Sequence, residues 1–189
     1  MNDFLPSQDL LAAIRQFEGL RLNLYADAAG YPTIGYGHWI PRGVQAPETC
    51  TLEQAEAWLE QDANVACQRV RQLVTVPMTQ AQCDALTDFV YNLGGTALAN
   101  STMLRYVNAG DWQSAAQQCM LWDHAHVNGQ LVVLAGLTVR RQWEATQMTQ
   151  AAAPLEAQAP AQPAEPAQPE QPQGSFAQHV EEVIHNVFG

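Results

Sequence analysis

FEGLRLNLYADAAGYPTIGYGH, residues 17–38, sets two acids and a hydroxyl on one short piece of chain with a turn in its middle. Glu18 closes an apolar-periodic run, Asp27 follows nine positions later, and Thr33 six after that. Between them Leu22, Leu24 and Ala26 alternate with polar residues, as on one side of a strand, and Gly30 supplies a turn. The stretch from Leu20 to about Ile34 therefore reads as a small antiparallel unit. Glu18, between Phe17 and Gly19 on an apolar face, has the setting of a general acid; Asp27, where a strand meets a turn, has that of a base or water-positioner. Gly35 and Gly37 remove side-chain bulk where a sugar ring would approach. Two carboxylates and a hydroxyl on a hairpin beside a helix end have the parts to hold a water against a glycosidic bond.

Working outward, the residues before this stretch predict a helix from about Gln8 to Phe17. Ser7 is its N-cap, Leu10, Leu11, Ile14 and Phe17 are its apolar face, and Gly19 is its end. After it, Pro41, Gly43 and Pro47 predict an irregular segment. Thr51 and Gln54 have capping-box spacing and open a long helix to about Leu73. Thr79 and Gln82 repeat that spacing before a helix that carries Leu86, Phe89, Val90 and Leu93 and stops at Gly94-Gly95. Shorter helices follow from Ser101 to about Asn108 and from Trp112 to about Trp122, the second capped by Asp111. His124 to Ala135 is a connector of undetermined form in which His124 and His126 read as loop residues. From Leu137 to about Gln150 the pattern is helical again, and either Arg140 or Arg141 can approach Glu18 or a nearby acid.

The bulk composition narrows the partners. Nineteen acidic residues oppose eight basic ones, every one of the eight an arginine. That balance excludes nucleic acid, whose phosphates demand a basic footprint, and provides no long-range attraction to an anionic polymer. No apolar run approaches the roughly 20 residues of a membrane span. The first residues lack the basic and apolar regions of a secretory signal, so the expectation is synthesis in the cytoplasm without a Sec-type address. Cys50, Cys67, Cys83 and Cys119 show no CxxC pairing, so free thiols are expected rather than a metal site. One domain is expected over residues 1–150, followed by a disordered Ala/Pro/Gln/Glu-rich linker over 151–175. In 176–189, FAQHVEEVIHNVFG, residues Phe176, Val180, Val183, Ile184 and Val187 mark one face of a short amphipathic helix. That helix either packs back on the domain or serves as a docking peptide for a protein partner; its acidity disfavours an anionic membrane surface.

The Glu18–Asp27–Thr33 spacing inside EGLRLNLYADAAGYPTIGYGH resembles the phage lysozyme family, glycoside hydrolase family 24. The resemblance continues in TLEQAEAWLEQD, QCDALTDFVYNLG, STMLRYVNAGDWQSAA and GLTVRRQWE, covering about residues 4–148. It implies an α+β lysozyme-like fold, with a small β-hairpin lobe joined to a larger helical lobe by the Thr51–Leu73 helix. It implies hydrolysis of the β-1,4 bond between N-acetylmuramic acid and N-acetylglucosamine in peptidoglycan, with inversion, by a monomer that needs no metal or organic cofactor. By the same resemblance Glu18 is the catalytic acid, Asp27 and Thr33 position and activate the attacking water, and Asn92 binds substrate. The resemblance also implies that His38 and Asp62 form a structural pair linking the small lobe to the long helix. In an inverting enzyme the two carboxyl groups stand roughly 6.5–9.5 Å apart to admit that water. The expected setting is a free endolysin released through a holin; the alternative is a muramidase delivered by a phage tail or contractile secretion device. A non-catalytic glycan-binding module would have no need for Glu18, Asp27 and Thr33 together, and a lytic transglycosylase no need for Asp27.

Overall fold

The computed structural model describes residues 4–27, 30–41, 43–127 and 130–150. The expected linker 151–175 and amphipathic stretch 176–189 lie outside the described residues. Helix α1, Gln8–Glu18, starts where the Ser7 side chain accepts from the Leu10 N–H, and buries Leu10, Leu11, Ala13 and Ile14. Gly19, at φ 69°, ends it with its N–H on the Arg15 carbonyl, leaving Glu18 as the last helical residue. The catalytic candidate is thus fixed to a rigid element.

Three antiparallel strands follow in the order β1 (Arg21–Ala26), β2 (Pro32–Gly35) and β3 (His38–Trp39). The third strand adds to the expected hairpin. The pairing of β1 with β2 is irregular between Arg21 and Tyr25, which resets the side-chain alternation. Leu22 is consequently exposed and Leu24 only partly buried, instead of sharing one covered side. Among its described residues the segment after β3 forms no helix or strand but is tied to β1, with Leu24 N–H on the Glu48 carbonyl and Cys50 N–H on that of Leu22.

Helix α2, Leu52–Leu73, opens on the complete Thr51–Gln54 capping box and runs for 22 residues, about 33 Å at 1.5 Å per residue. Its apolar face serves two cores. Ala55, Leu59 and Ala63 pack with Ile34, Tyr36 and Ile40 of the small lobe and Leu10, Leu11 and Ile14 of α1. Ala66, Cys67 and Val70 pack into the larger core with Leu86, Phe89, Leu98 and Met103. Gly35 permits the close approach of β2 to α2: a Cβ there would stand 3.3 Å from Ala55 Cβ on a backbone at φ 69°.

Helix α3, Gln80–Leu93, has the predicted Thr79–Gln82 capping box and runs through the larger core. Gly94 ends it, but Gly95 begins a further short helix, α4 (Gly95–Ala99), that the paired glycines concealed. Helices α5 (Thr102–Asn108) and α6 (Trp112–Cys119) follow, α6 stopping short of the expected Trp122. The undetermined connector contains an antiparallel hairpin, β4 (His124–Val127) with β5 (Gln130–Val133), so His124 and His126 belong to a strand rather than a loop. Helix α7, Ala135–Thr149, returns across α3 and α6. All four cysteines are buried free thiols. None of the described helices is long and apolar enough to cross a membrane.

Phe89 anchors the larger core, fully buried with its ring 5.3 Å from that of Trp122 in an edge-to-face contact and the Arg141 guanidinium 5.1 Å from its centre. Phe89→Ala removes that contact set and leaves a cavity, and should lower unfolding free energy by about 3–5 kcal/mol in urea titration.

Candidate active site

An open cleft of about 470 Å³ collects Glu18, Asp27 and Thr33 with Asn92, and is walled further by Gly37 and Tyr91. Three residues of the stretch 17–38 and the distant Asn92 therefore line one cavity. Each is held by a different local device.

Glu18 projects from the end of α1, and its Oε1 accepts from Arg140 Nη1 at 2.5 Å. The same guanidinium grips Asp88 on α3 with a two-pronged fork, Nε to Oδ2 at 2.8 Å and Nη2 to Oδ1 at 2.9 Å. Arg140 is 2% exposed and Asp88 fully buried, so this three-residue link is shielded except at Glu18. The arginine that reaches the acid is therefore Arg140. Glu18 also departs from the apolar setting expected of it: its principal neighbour is a buried cation. With Oε1 engaged, Oε2 lies on the side of Gly37, where an added Cβ would stand 3.5 Å away. That distance is ordinary contact; the demand for glycine comes from φ 87° in the turn between β2 and β3.

Asp27 is set by the turn it caps. Its N–H donates to the Tyr31 carbonyl at 2.9 Å, its own carbonyl accepts from Gly30 N–H, and its Oδ1 accepts from the Tyr31 N–H at 2.8 Å. Thr33, opposite Tyr25 in the ladder and buried, donates its hydroxyl proton to the same Tyr31 carbonyl at 3.0 Å. The hydroxyl's proton is thereby occupied, leaving oxygen lone pairs to accept from a water. Tyr31 thus couples Asp27 and Thr33 through its backbone.

Asn92, in the last turn of α3, accepts on Oδ1 from Arg141 Nη2 at 2.8 Å, which leaves its NH₂ as the donor for a ligand. The two adjacent arginines divide the work, Arg140 on Glu18 and Arg141 on Asn92. His38 Nδ1 lies 2.8 Å from Asp62 Oδ2, and the His38 ring stacks on Trp58 with centroids 4.8 Å apart and planes 5° apart. This ties β3 to α2. Among the described residues, no group of three or more His, Cys, Asp or Glu could hold a metal ion.

Several contributors were missed in the sequence. Tyr91 donates its hydroxyl to the Tyr36 carbonyl at 2.7 Å, joining α3 to the turn after β2 at the cleft floor; burial holds that hydroxyl protonated. Tyr36 in turn donates to Glu56 Oε1, whose carboxyl Arg15 holds below the usual carboxylate range from 2.6 Å. Asp88 was legible only as an acid on an apolar stripe. Deeper still, Glu144 lies fully buried 2.8 Å from Arg141 Nη2 and accepts from the Cys119 thiol at 2.9 Å. Among the described residues Glu144 Oε1 has no well-aligned hydrogen bond, so its contact with Arg141 is a charge contact only. Burial, with Asp88 nearby, pushes the Glu144 carboxyl well above the usual range.

The phage lysozyme family model matches residues 15–144, which takes in every site residue named above. The chain belongs to the phage lysozyme family. It is similar to the endolysin of Acyrthosiphon pisum secondary endosymbiont phage 1, with 41% identity over 138 residues that cover 73% of this chain and 93% of the relative. Among solved structures it resembles the muramidase domain of SpmX from Asticaccaulis excentricus, at 37% identity and a TM-score of 0.70, covering 77% of this chain and 97% of that one. It also resembles the endolysin of Escherichia coli O157:H7 phage FAHEc1, at 37% identity and a TM-score of 0.69, covering 78% and 95%. This lysozyme is a peptidoglycan hydrolase with the α+β fold of its family.

Two outcomes follow from the buried charges. Arg140→Met strands Asp88 as an unpaired buried acid and should cost about 3–5 kcal/mol of stability, measured by urea unfolding. For Glu144 the folded value is raised, so above about pH 4.3, the unfolded value, the folded state binds more protons and stability falls as pH rises. Glu144→Gln, with no proton to lose, should flatten that decline; equal slopes of unfolding free energy against pH for both proteins would refute the assignment.

Proposed function

We propose that this lysozyme cleaves the β-1,4 bond between N-acetylmuramic acid and N-acetylglucosamine in a single inverting displacement, with Glu18 as general acid and Asp27 with Thr33 activating the water. The observation that carries the reading is the convergence of the three in one cleft, with Glu18 and the Asp27–Thr33 pair supplied by different elements. Thr33 oxygen and Asp27 carboxylate hold the water, and Asp27 takes its proton as the oxygen attacks the anomeric carbon. Glu18 gives its proton from Oε2 to the departing glycosidic oxygen, while Arg140 on Oε1 prevents the carboxyl from rotating away. The Asn92 amide NH₂, turned outward by Arg141, donates to a substrate oxygen. His38 and Asp62 keep the small lobe seated on α2 and take no part in proton transfer.

In this reading the enzyme acts as an endolysin, hydrolysing host peptidoglycan at the end of phage growth. The apolar spacing within 176–189 favours a second setting, delivery by a tail or secretion device with that stretch as the docking peptide. Removal of residues 151–189 separates the two: as an endolysin the truncated enzyme keeps its lytic timing in the cell, whereas device delivery fails without the tail.

Glu18→Gln should lower peptidoglycan hydrolysis by a factor of about 10²–10⁴ while the melting temperature shows no loss of fold. Proton NMR of the first product should show the α-anomer at the new reducing end. A β-anomer would replace inversion by a retaining path, and anhydro-muramyl ends would replace hydrolysis by transglycosylation.

A further inference from the structure

A second open groove, about 510 Å³, shares Gly37, Trp39 and Tyr91 with the catalytic cleft and continues between α2 and the Gly94–Thr96 corner. Anything attached to a sugar in the catalytic cleft has a path into it. Among the described residues its charged lining is Asp62, whose carboxylate already faces His38 Nδ1 at 2.8 Å, and Arg69. Arg69 is exposed, and none of the ion pairs among the described residues includes it. Its Nη1 donates to Gln72 Oε1 at 3.1 Å, a neutral partner that steadies the guanidinium and leaves further N–H donors unspent.

Gly95 shows that the Arg69 side chain has a place made for it. A Cβ at residue 95 would fall 2.5 Å from Arg69 Cγ, 3.0 Å from Nε and 3.2 Å from Cδ. Unlike Gly37 and Gly94, Gly95 has no positive φ, so the backbone does not demand glycine there. The arginine stem lies in the space that the missing side chain leaves. A planar fork of donors, held over a groove that opens from the cleavage site, fits a carboxylate.

The muramic acid of peptidoglycan bears a short peptide on its lactyl group, and that peptide carries free carboxylates. We propose that Arg69 binds a carboxylate of this peptide, so that the enzyme selects peptide-bearing muramyl residues over bare glycan. The inference rests on the muramidase reading above and specifies which form of that substrate the site prefers. The guanidinium touches an appended group and no reacting atom, so Arg69 is a specificity residue and enters through KM.

The experiment compares kcat/KM on peptidoglycan that bears its peptides with kcat/KM on the same glycan after an amidase has removed them, counting new reducing ends. The native enzyme should favour the peptide-bearing form, and Arg69→Gln should lower that ratio by about tenfold, mainly through KM, with circular dichroism confirming the fold. Arg69→Lys, which keeps charge without the fork, should fall between. Gly95→Ala, which displaces Arg69 without removing it, should lower the ratio too. An Arg69→Gln enzyme that slows equally on both substrates, leaving the native ratio intact, would overturn the proposal. If the native enzyme produces reducing ends from neither substrate, it is the muramidase reading that fails, and the inference falls with it.

Discussion

The acid side of the candidate site hangs on one guanidinium. Arg140 comes from α7, near the end of the family-matched region, yet it bridges Glu18 on α1 and Asp88 on α3. Burying a cation and an acid this deeply is costly, and an apolar pair of similar shape would stabilise the core at least as well. What the ionic link provides is position. A fork locked on Asp88 leaves Arg140 one remaining direction, and Glu18 stands in it. Helix α7 thereby sets the angle of a residue on α1.

The cleft itself is a consequence of α2. One helix about 33 Å long supplies apolar residues to two separate cores, one under the small sheet and one among the C-terminal helices. Neither core fills the space between its partner lobes, and that space is the candidate cleft. Two ties limit how far it can open: Tyr91 to the Tyr36 carbonyl, and His38 to Asp62 with Trp58 stacked behind. The site is thus preorganised by contacts that are not themselves chemical.

How much of this was legible depended on whether the determinant was local. Ser7, Thr51 and Thr79 marked helix starts within a residue, because a cap acts on N–H groups two or three positions away. Glu18, Asp27 and Thr33 were legible because they share one short stretch whose turn sets them in a common cleft. The choice between Arg140 and Arg141 was not, since adjacent helical residues differ only in direction, and that is decided by what packs opposite them. Asp88 was hidden for the same reason: an acid on an apolar stripe has no meaning until the arginine that meets it is placed. In the β4–β5 hairpin the alternation was short, though Asn128-Gly129 between the strands is a strong hairpin dipeptide and was available to be read. The short helix α4 lay behind two glycines of opposite function, one ending a helix and the next accommodating Arg69.

The acidity of the chain finds its place once the arginines are located. A net charge of −11 cannot draw the enzyme toward an anionic wall from a distance, and at physiological salt any such field fades within about 8 Å. Recognition must therefore be made at contact. Arg15, Arg140 and Arg141 are committed to internal acids or to Asn92, and Arg21 lies over the Tyr25 ring, 4.5 Å from its centre. Arg69 differs in lining a groove that opens onto the candidate catalytic cleft. An enzyme without long-range attraction gains from a short-range cation there, because affinity that appears only after docking rewards the correctly seated substrate and not the bulk polymer. Had the surface been basic, the same arginine would have added little discrimination, since every strand of wall would already adhere. The acidic composition and the groove arginine, Arg69, are two halves of one selectivity.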